Sequence, residues 1–161
     1  MAYVRKKDNQ SSIKPISRLL IANRGEIARR INRTAQYMGI STVAIYADGD
    51  VDAPFVHEAD FAIALRGETS LDTYLNTEKV LEACKASEAD AIHPGYGFLS
   101  ENSGFAEAVG AAGFVWVGPS PEAIASMGDK LSAKHLMEEA EVPTLPARQI
   151  LEMETTIALA E

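Results

Sequence analysis

Apolar residues fall along this chain in short blocks separated by polar, glycine- or proline-marked breaks. The first block, Arg18 to Asn23 (RLLIAN), reads as a buried strand. After Gly25 the apolar positions Ile27, Ile31, Ala35 and Met38 recur at spacings of four, four and three, the period of a helix with one inward face. Gly39 supplies the C-cap signal, because glycine takes a left-handed backbone without strain. Thr42 to Tyr46 (TVAIY) is a β-branched second strand, Asp48 to Asp60 an acidic loop containing Pro54, and Phe61 to Leu65 (FAIAL) a third strand. Beyond a polar loop at Arg66 to Asp72, the pattern predicts a helix from about Thr77 to Ser87 with Val80, Leu81 and Cys84 inside, then a fourth strand at Ala89 to His93. Phe105, Ala108, Val109 and Ala112 mark another helix, and Phe114 to Val117 (FVWV) a fifth strand.

Strands and helices thus alternate, which implies right-handed crossovers and an α/β fold: a doubly wound, mostly parallel sheet covered on both faces. After Pro119 the grammar changes. Ser120-Pro121-Glu122 opens a short helix, Asp129 starts another, and Val142-Pro143 closes it. Leu145 to Leu151 has the makings of a strand, and Thr155 to Ala160 begins a helical pattern that reaches the last residue within about two turns. The expected division is a loose basic leader over 1–17, the α/β unit over 18–130, and the severed beginning of a second unit over 131–161.

Composition narrows the class. With 161 residues, 47% of them apolar, the chain is long enough for one core and too apolar for disorder. No apolar run exceeds six residues, far short of the ~20 needed to span a bilayer. One cysteine, Cys84, excludes a disulfide framework and a multi-cysteine metal site, and the basic, polar leader lacks the apolar stretch of a secretory signal, so a cytoplasmic location is expected. The net charge of −8 is unevenly spread: residues 1–33 carry nine Lys or Arg against two acids, the remainder six against 21. That acidic bulk argues against nucleic-acid binding.

Several segments carry candidate chemistry. Ala22 to Ala28 (ANRGEIA) lies where a dinucleotide-binding turn would lie, but one glycine does not make the G-x-G-x-x-G fingerprint; a helix start capped by Asn23 or an acid is the expectation. Arg29, Arg30 and Arg33 fall on the polar side of that helix, a solvated face or a subunit contact. Asp48-x-Asp50-x-Asp52 opens like a calcium loop, yet Ala53 and Ala59 stand where glycine and glutamate are required, so a solvated acidic loop is expected. Cys84 reads as a small core hydrophobe. His93 to Asn102 (HPGYGFLSEN) is the strongest local signal: two glycines and a proline at the carboxyl end of a strand allow close backbone approach to a ligand, at the edge where open α/β sheets hold theirs. It is equally consistent with an ordinary strand-to-helix turn, with Ser100 or Asn102 capping the helix and His93 a hydrogen-bonded core residue. Lys130 follows Met127-Gly128-Asp129 at a helix start, where a cation is disfavoured unless an anion offsets it; a phosphate ligand and plain surface placement both remain open.

Taken together, IANRGEIA at 21–28, HPGYGFLSEN at 93–102, FVWVGPS at 114–120 and MGDK at 127–130 resemble, in order and spacing, the N-terminal domain of the biotin carboxylase component of biotin-dependent carboxylases, of the acyl-CoA carboxylase type. The resemblance covers about residues 18–161. It implies a Rossmann-like domain preceding an ATP-grasp unit, and an ATP-dependent ligase that activates bicarbonate as carboxyphosphate and carboxylates biotin. Mg2+ and biotin would serve the full-length enzyme, a biotin carboxyl carrier domain and a carboxyltransferase would be its partners, and it would be a homodimer. Lys130 then matches the lysine that contacts nucleotide phosphates, Tyr96 with Gly97 the loop lining the biotin and bicarbonate pocket, and Arg30 and Arg33 candidate dimer contacts. The glycine-rich lid, the magnesium-binding glutamates and the bicarbonate-holding residues of the family have no counterpart in these 161 residues. The chain by itself is therefore expected to be inactive, with no catalytic residue or metal ligand assigned. Another ATP-grasp ligase, or a non-catalytic assembly or dimerisation module, is the alternative; the acyl acceptor and the oligomeric state of the chain are not written in it.

Overall fold

The structure, a computed structural model, describes residues 15–145. Five strands are present: β1 (Arg18–Ile21), β2 (Ser41–Tyr46), β3 (Phe61–Ala64), β4 (Ala91–His93) and β5 (Val115–Trp116). Between and after them run α1 (Gly25–Tyr37), α2 (Pro54–His57), α3 (Thr77–Ala86), α4 (Ser103–Ala111), α5 (Pro121–Gly128) and α6 (Lys130–Glu139). All four strand pairings are parallel and the order is β3-β2-β1-β4-β5, so the doubly wound α/β expectation holds. Both neighbours of β1 lie far from it in sequence on one side: Leu20 pairs with Val43, and Leu19 with Ala91. The chain therefore reverses its winding between β1 and β4.

The core has two layers. Leu20, Val43, Ile45 and Ile92 meet Val80, Cys84, Phe105 and Val109 of α3 and α4 on one face, while Ile21 and Ala44 meet Ala28, Phe55 and Val56 on the other. Phe55 and Val56 belong to α2, inside the stretch expected to be a solvated acidic loop. A four-residue helix is too short to show a period, and its Pro54 sits at the first helical position, where proline costs no hydrogen bond. Termini follow local chemistry. Asn76, Asn102, Ser120 and Asp129 accept from the backbone N–H groups of Lys79, Phe105, Ala123 and Ser132, and Gly39 follows the α1 C-cap at φ +75°.

Two expected burial patterns differ. The line of α1 nearest the sheet is Ala28, Asn32 and Ala35, small enough to let helix and sheet approach; Ile27 and Ile31 are half-buried and Met38 is 67% exposed. On this face α1 packs on β1 and β2, and α2 on β2 and β3. Next to them Ile27, Ile31, Met38 and Val117 line an open apolar groove of about 440 Å³. β3 is also less buried than its sequence predicts, with Phe61 exposed, because it forms the sheet edge. Among the described residues no helix is long and apolar enough to cross a membrane. The expected strand at Leu145 to Leu151 and helix from Thr155 lie essentially outside the described residues.

Candidate functional site at the switch point

In an open parallel sheet, ligands bind outside the carboxyl ends of the strands where the winding reverses, because the loops there diverge and leave a crevice. Here that point lies between β1 and β4, and the two loops that leave it are Ala22 to Gly25 and Pro94 to Asn102. They are bound to each other. Ala22 N donates to His93 O (2.9 Å). Asn23, fully buried, donates through Nδ2 to the carbonyls of Pro94 (2.8 Å) and Tyr96 (3.0 Å), and its Oδ1 accepts from Arg24 N (2.9 Å). Asn23 is therefore not the helix cap expected of it; Arg24 holds the N-cap position without a side-chain cap bond, and the Asn23 amide is spent on the facing loop.

That loop has an unusual backbone. Gly95 and Gly97 lie at φ +69° and +68°, and Phe98, which has a side chain to accommodate, at +44°. A left-handed conformation costs a non-glycine residue roughly 1 kcal/mol, so surrounding contacts must hold it. Phe98 stacks on Tyr74 with ring centroids 5.3 Å apart. The Tyr74 hydroxyl accepts from Ala47 N (3.0 Å) and donates to Asp50, whose carboxylate also takes the guanidinium of Arg24 (Nε to Oδ2, 2.7 Å). Arg24 holds the Asp50 carboxyl below its ordinary range, against the opposing effect of burial. The acidic loop thus contributes Asp50 to a structural network rather than lying wholly in solvent. Neither Tyr74 nor this use of Asp50 was visible in the sequence, since nothing local marks a tyrosine 24 residues away as its partner.

His93 is partly buried and accepts from Gly95 N (3.0 Å) at Nδ1, so its proton sits on Nε2; burial lowers its pKa and keeps it neutral. Of its two readings the structure supports the hydrogen-bonded structural one. Tyr96 stands half-exposed, its hydroxyl donating to the Glu26 carboxylate, which raises the phenol pKa. With Gly97 and Phe98 it walls a shallow groove whose other side is Asn23, Arg24, Gly25 and Glu26. Around Gly97 there is open space where a Cβ would stand. Tyr96 and Gly97 are thus brought together with the start of α1. Lys130 is exposed at the first position of α6, directly after its Asp129 cap, and lines neither groove bordered by Tyr96. Arg30 and Arg33 are exposed on α1 beside the Arg29–Glu58 ion pair. Asn32, buried beneath them, donates to Glu58 O (2.8 Å) and leaves its Oδ1 unpaired. Cys84 is fully buried, and burial pushes its thiol up to about 12. Among the described residues no group of three His, Cys, Asp or Glu side chains converges to hold a metal ion.

Comparison with known proteins decides the family. The pattern described as biotin carboxylase, N-terminal domain, matches residues 15–124. The chain belongs to the biotin carboxylase N-terminal domain family. It is 50% identical over 131 residues to the biotin-dependent acyl-coenzyme A carboxylase alpha3 subunit of Mycobacterium leprae, covering 81% of this chain and 22% of that protein. It is 49% identical over 130 residues to biotin carboxylase 2 of Bacillus subtilis, 81% of this chain and 29% of that one. Among solved structures, the biotin carboxylase domain dimer of Hydrogenobacter thermophilus 2-oxoglutarate carboxylase, in complex with MgADP, ADP and bicarbonate, superimposes with a TM-score of 0.82 at 40% identity, over 91% of this chain and 33% of that chain. This chain therefore spans between a fifth and a third of these relatives.

Proposed function

We propose that this chain is the N-terminal portion of an ATP-dependent biotin carboxylase, with residues 18–130 its first α/β domain and 131–161 the start of an ATP-grasp region. The observation that carries this is the Tyr96–Gly97 loop, held against the start of α1 at the switch point of a family member's sheet. Tyr96 and Gly97 form one wall of the biotin and bicarbonate pocket, where an open backbone and a phenol admit a small planar ligand. Lys130 reaches the nucleotide phosphates: an exposed ammonium at a helix start fits an anion, and Asp129 serves the helix as its cap, leaving the lysine free for that task. Bound ATP with Mg2+ would supply the phosphoryl group that activates bicarbonate, and the residues present here contribute binding and orientation alone. The division at 130 agrees with burial, since α6 contains no buried residue.

Partners follow from the same reading: a biotin carboxyl carrier domain, a carboxyltransferase subunit or domain, and a second copy of the full-length protein meeting Arg30 and Arg33, in the cytoplasm. The 161 residues alone do not turn over ATP. To test this, residues 15–145 replace the matching segment of the Bacillus subtilis biotin carboxylase 2, and ADP release is followed with and without biotin and bicarbonate. The chimera is expected to be active and Lys130→Ala within it to raise the KM for ATP, while the 161-residue chain releases no ADP. An inactive but folded chimera overturns the assignment, and turnover by the isolated chain overturns its inactivity.

A further inference from the structure

The inference concerns what holds the Tyr96 loop in place, and it rests on the reading of Tyr96 and Gly97 given above. We infer that Asn23 is a positioning residue: its buried carboxamide fixes the backbone of residues 94–96 and so sets where Tyr96 and Gly97 stand. A loop with glycines at two of three successive positions has wide conformational freedom, and ordering each residue costs about 1–2 kcal/mol of backbone entropy. Something must therefore select one conformation. Asn23 does so with two N–H donors on two carbonyls separated by one residue, Pro94 and Tyr96, at 2.8 and 3.0 Å. Between those carbonyls Gly95 lies so close that a Cβ added to it would stand 2.7 Å from Asn23 Nδ2 and 2.7 Å from Ile27 Cγ2. The far side of the loop is pinned by Phe98 on Tyr74, and the near side by the bond from Gly95 N to His93.

What the clamp leaves free is informative. Tyr96 is engaged through its carbonyl, with its ring half-exposed, and Gly97 has open space over its Cα. The two residues assigned to the ligand are thus the part of the loop that the clamp leaves presented to solvent. Only a carboxamide suits position 23, since it offers two donors toward the loop and an acceptor toward Arg24 N. Aspartate has the same shape but would turn acceptor oxygens toward two carbonyls.

Asn23→Asp tests this in two settings. In the 161-residue chain, 15N relaxation of wild type should give order parameters near 0.85 for the amides of residues 95–97, falling below about 0.6 in N23D while those of β1 and β4 stay high. In the chimera, N23D should raise the KM for biotin about ten- to a hundred-fold, with the KM for ATP within about twofold of wild type, since misplacement by about 1 Å costs up to that much. If N23D does not fold, Gly95→Ala, on the other side of the same contact, takes its place in both measurements. Unchanged order parameters at 95–97 overturn the positioning role whatever the kinetics. A loosened loop with unchanged KM for biotin overturns instead the assignment of Tyr96 and Gly97 to the pocket. Loosening with parallel losses for biotin and ATP reduces Asn23 to a purely structural residue and overturns the inference.

Discussion

Tyr74→Phe removes one oxygen and leaves the ring in place, so it isolates the hydroxyl network beneath the loop. Tyr74 is 2% exposed and its ring packs on Phe98; the hydroxyl accepts from Ala47 N and donates to Asp50. In the variant Ala47 N–H, on a residue 5% exposed, loses its acceptor. A buried donor left unsatisfied costs about 1–3 kcal/mol. Asp50 loses less, because both of its bonds from Arg24 remain. A loss of about 2 kcal/mol is expected, which at an m-value of about 2 kcal/mol/M lowers the urea midpoint of the chain by about 1 M with m unchanged. Alkaline pH provides a second check. Burial, reinforced by the Asp50 carboxylate, raises the Tyr74 pKa to about 12 from 10.0. A folded-state value above the unfolded one stabilises fully below pH 10 and is lost as pH rises toward 12, so the gap between wild type and Y74F should shrink over that window. A midpoint shift below about 0.3 M, or a gap that does not depend on pH there, refutes the buried network as drawn.

The acid limb has a comparable signature. Asp60 accepts from Thr42 N (2.8 Å) and Thr42 Oγ1 (2.9 Å), and these bonds outweigh burial in lowering its pKa. Its stabilisation is present above the unfolded value near 4 and is lost as pH falls through the folded one, so Asp60→Asn should flatten the loss of stability in acid urea titrations; an unaltered limb counts against it. Cys84, with its thiol near 12 through burial and then the charge of Asp90, should resist Ellman's reagent at pH 8 until the chain unfolds. Rapid stoichiometric labelling of native protein would show that the α3 face opens.

Where local chemistry suffices, the sequence was readable. Alternating strand and helix patterns require a parallel sheet with crossovers, and Asn102, Ser120, Asp129 and Gly39 act within three residues of themselves. The motif HPGYGFLSEN marked a loop at a strand's carboxyl end without stating what it faces. The failures share a cause. Met38 continues an apolar period yet lies on an exposed groove, and Phe55 is buried although its acidic surroundings read as solvated, because burial depends on which element lies overhead.

By itself, then, the sequence determined the fold class, the family and the loop that carries Tyr96 and Gly97, since each is encoded in contiguous residues and their spacing. Only the tertiary structure decided that Asn23 serves that loop instead of capping its own helix, and that Arg24, Asp50, Tyr74 and Phe98 form one network. The physical reason is that a side chain's hydrogen-bond capacity is local but its partner is not. The Asn23 carboxamide meets Pro94 and Tyr96, more than 70 residues on, only because β1 and β4 become neighbours when the sheet assembles.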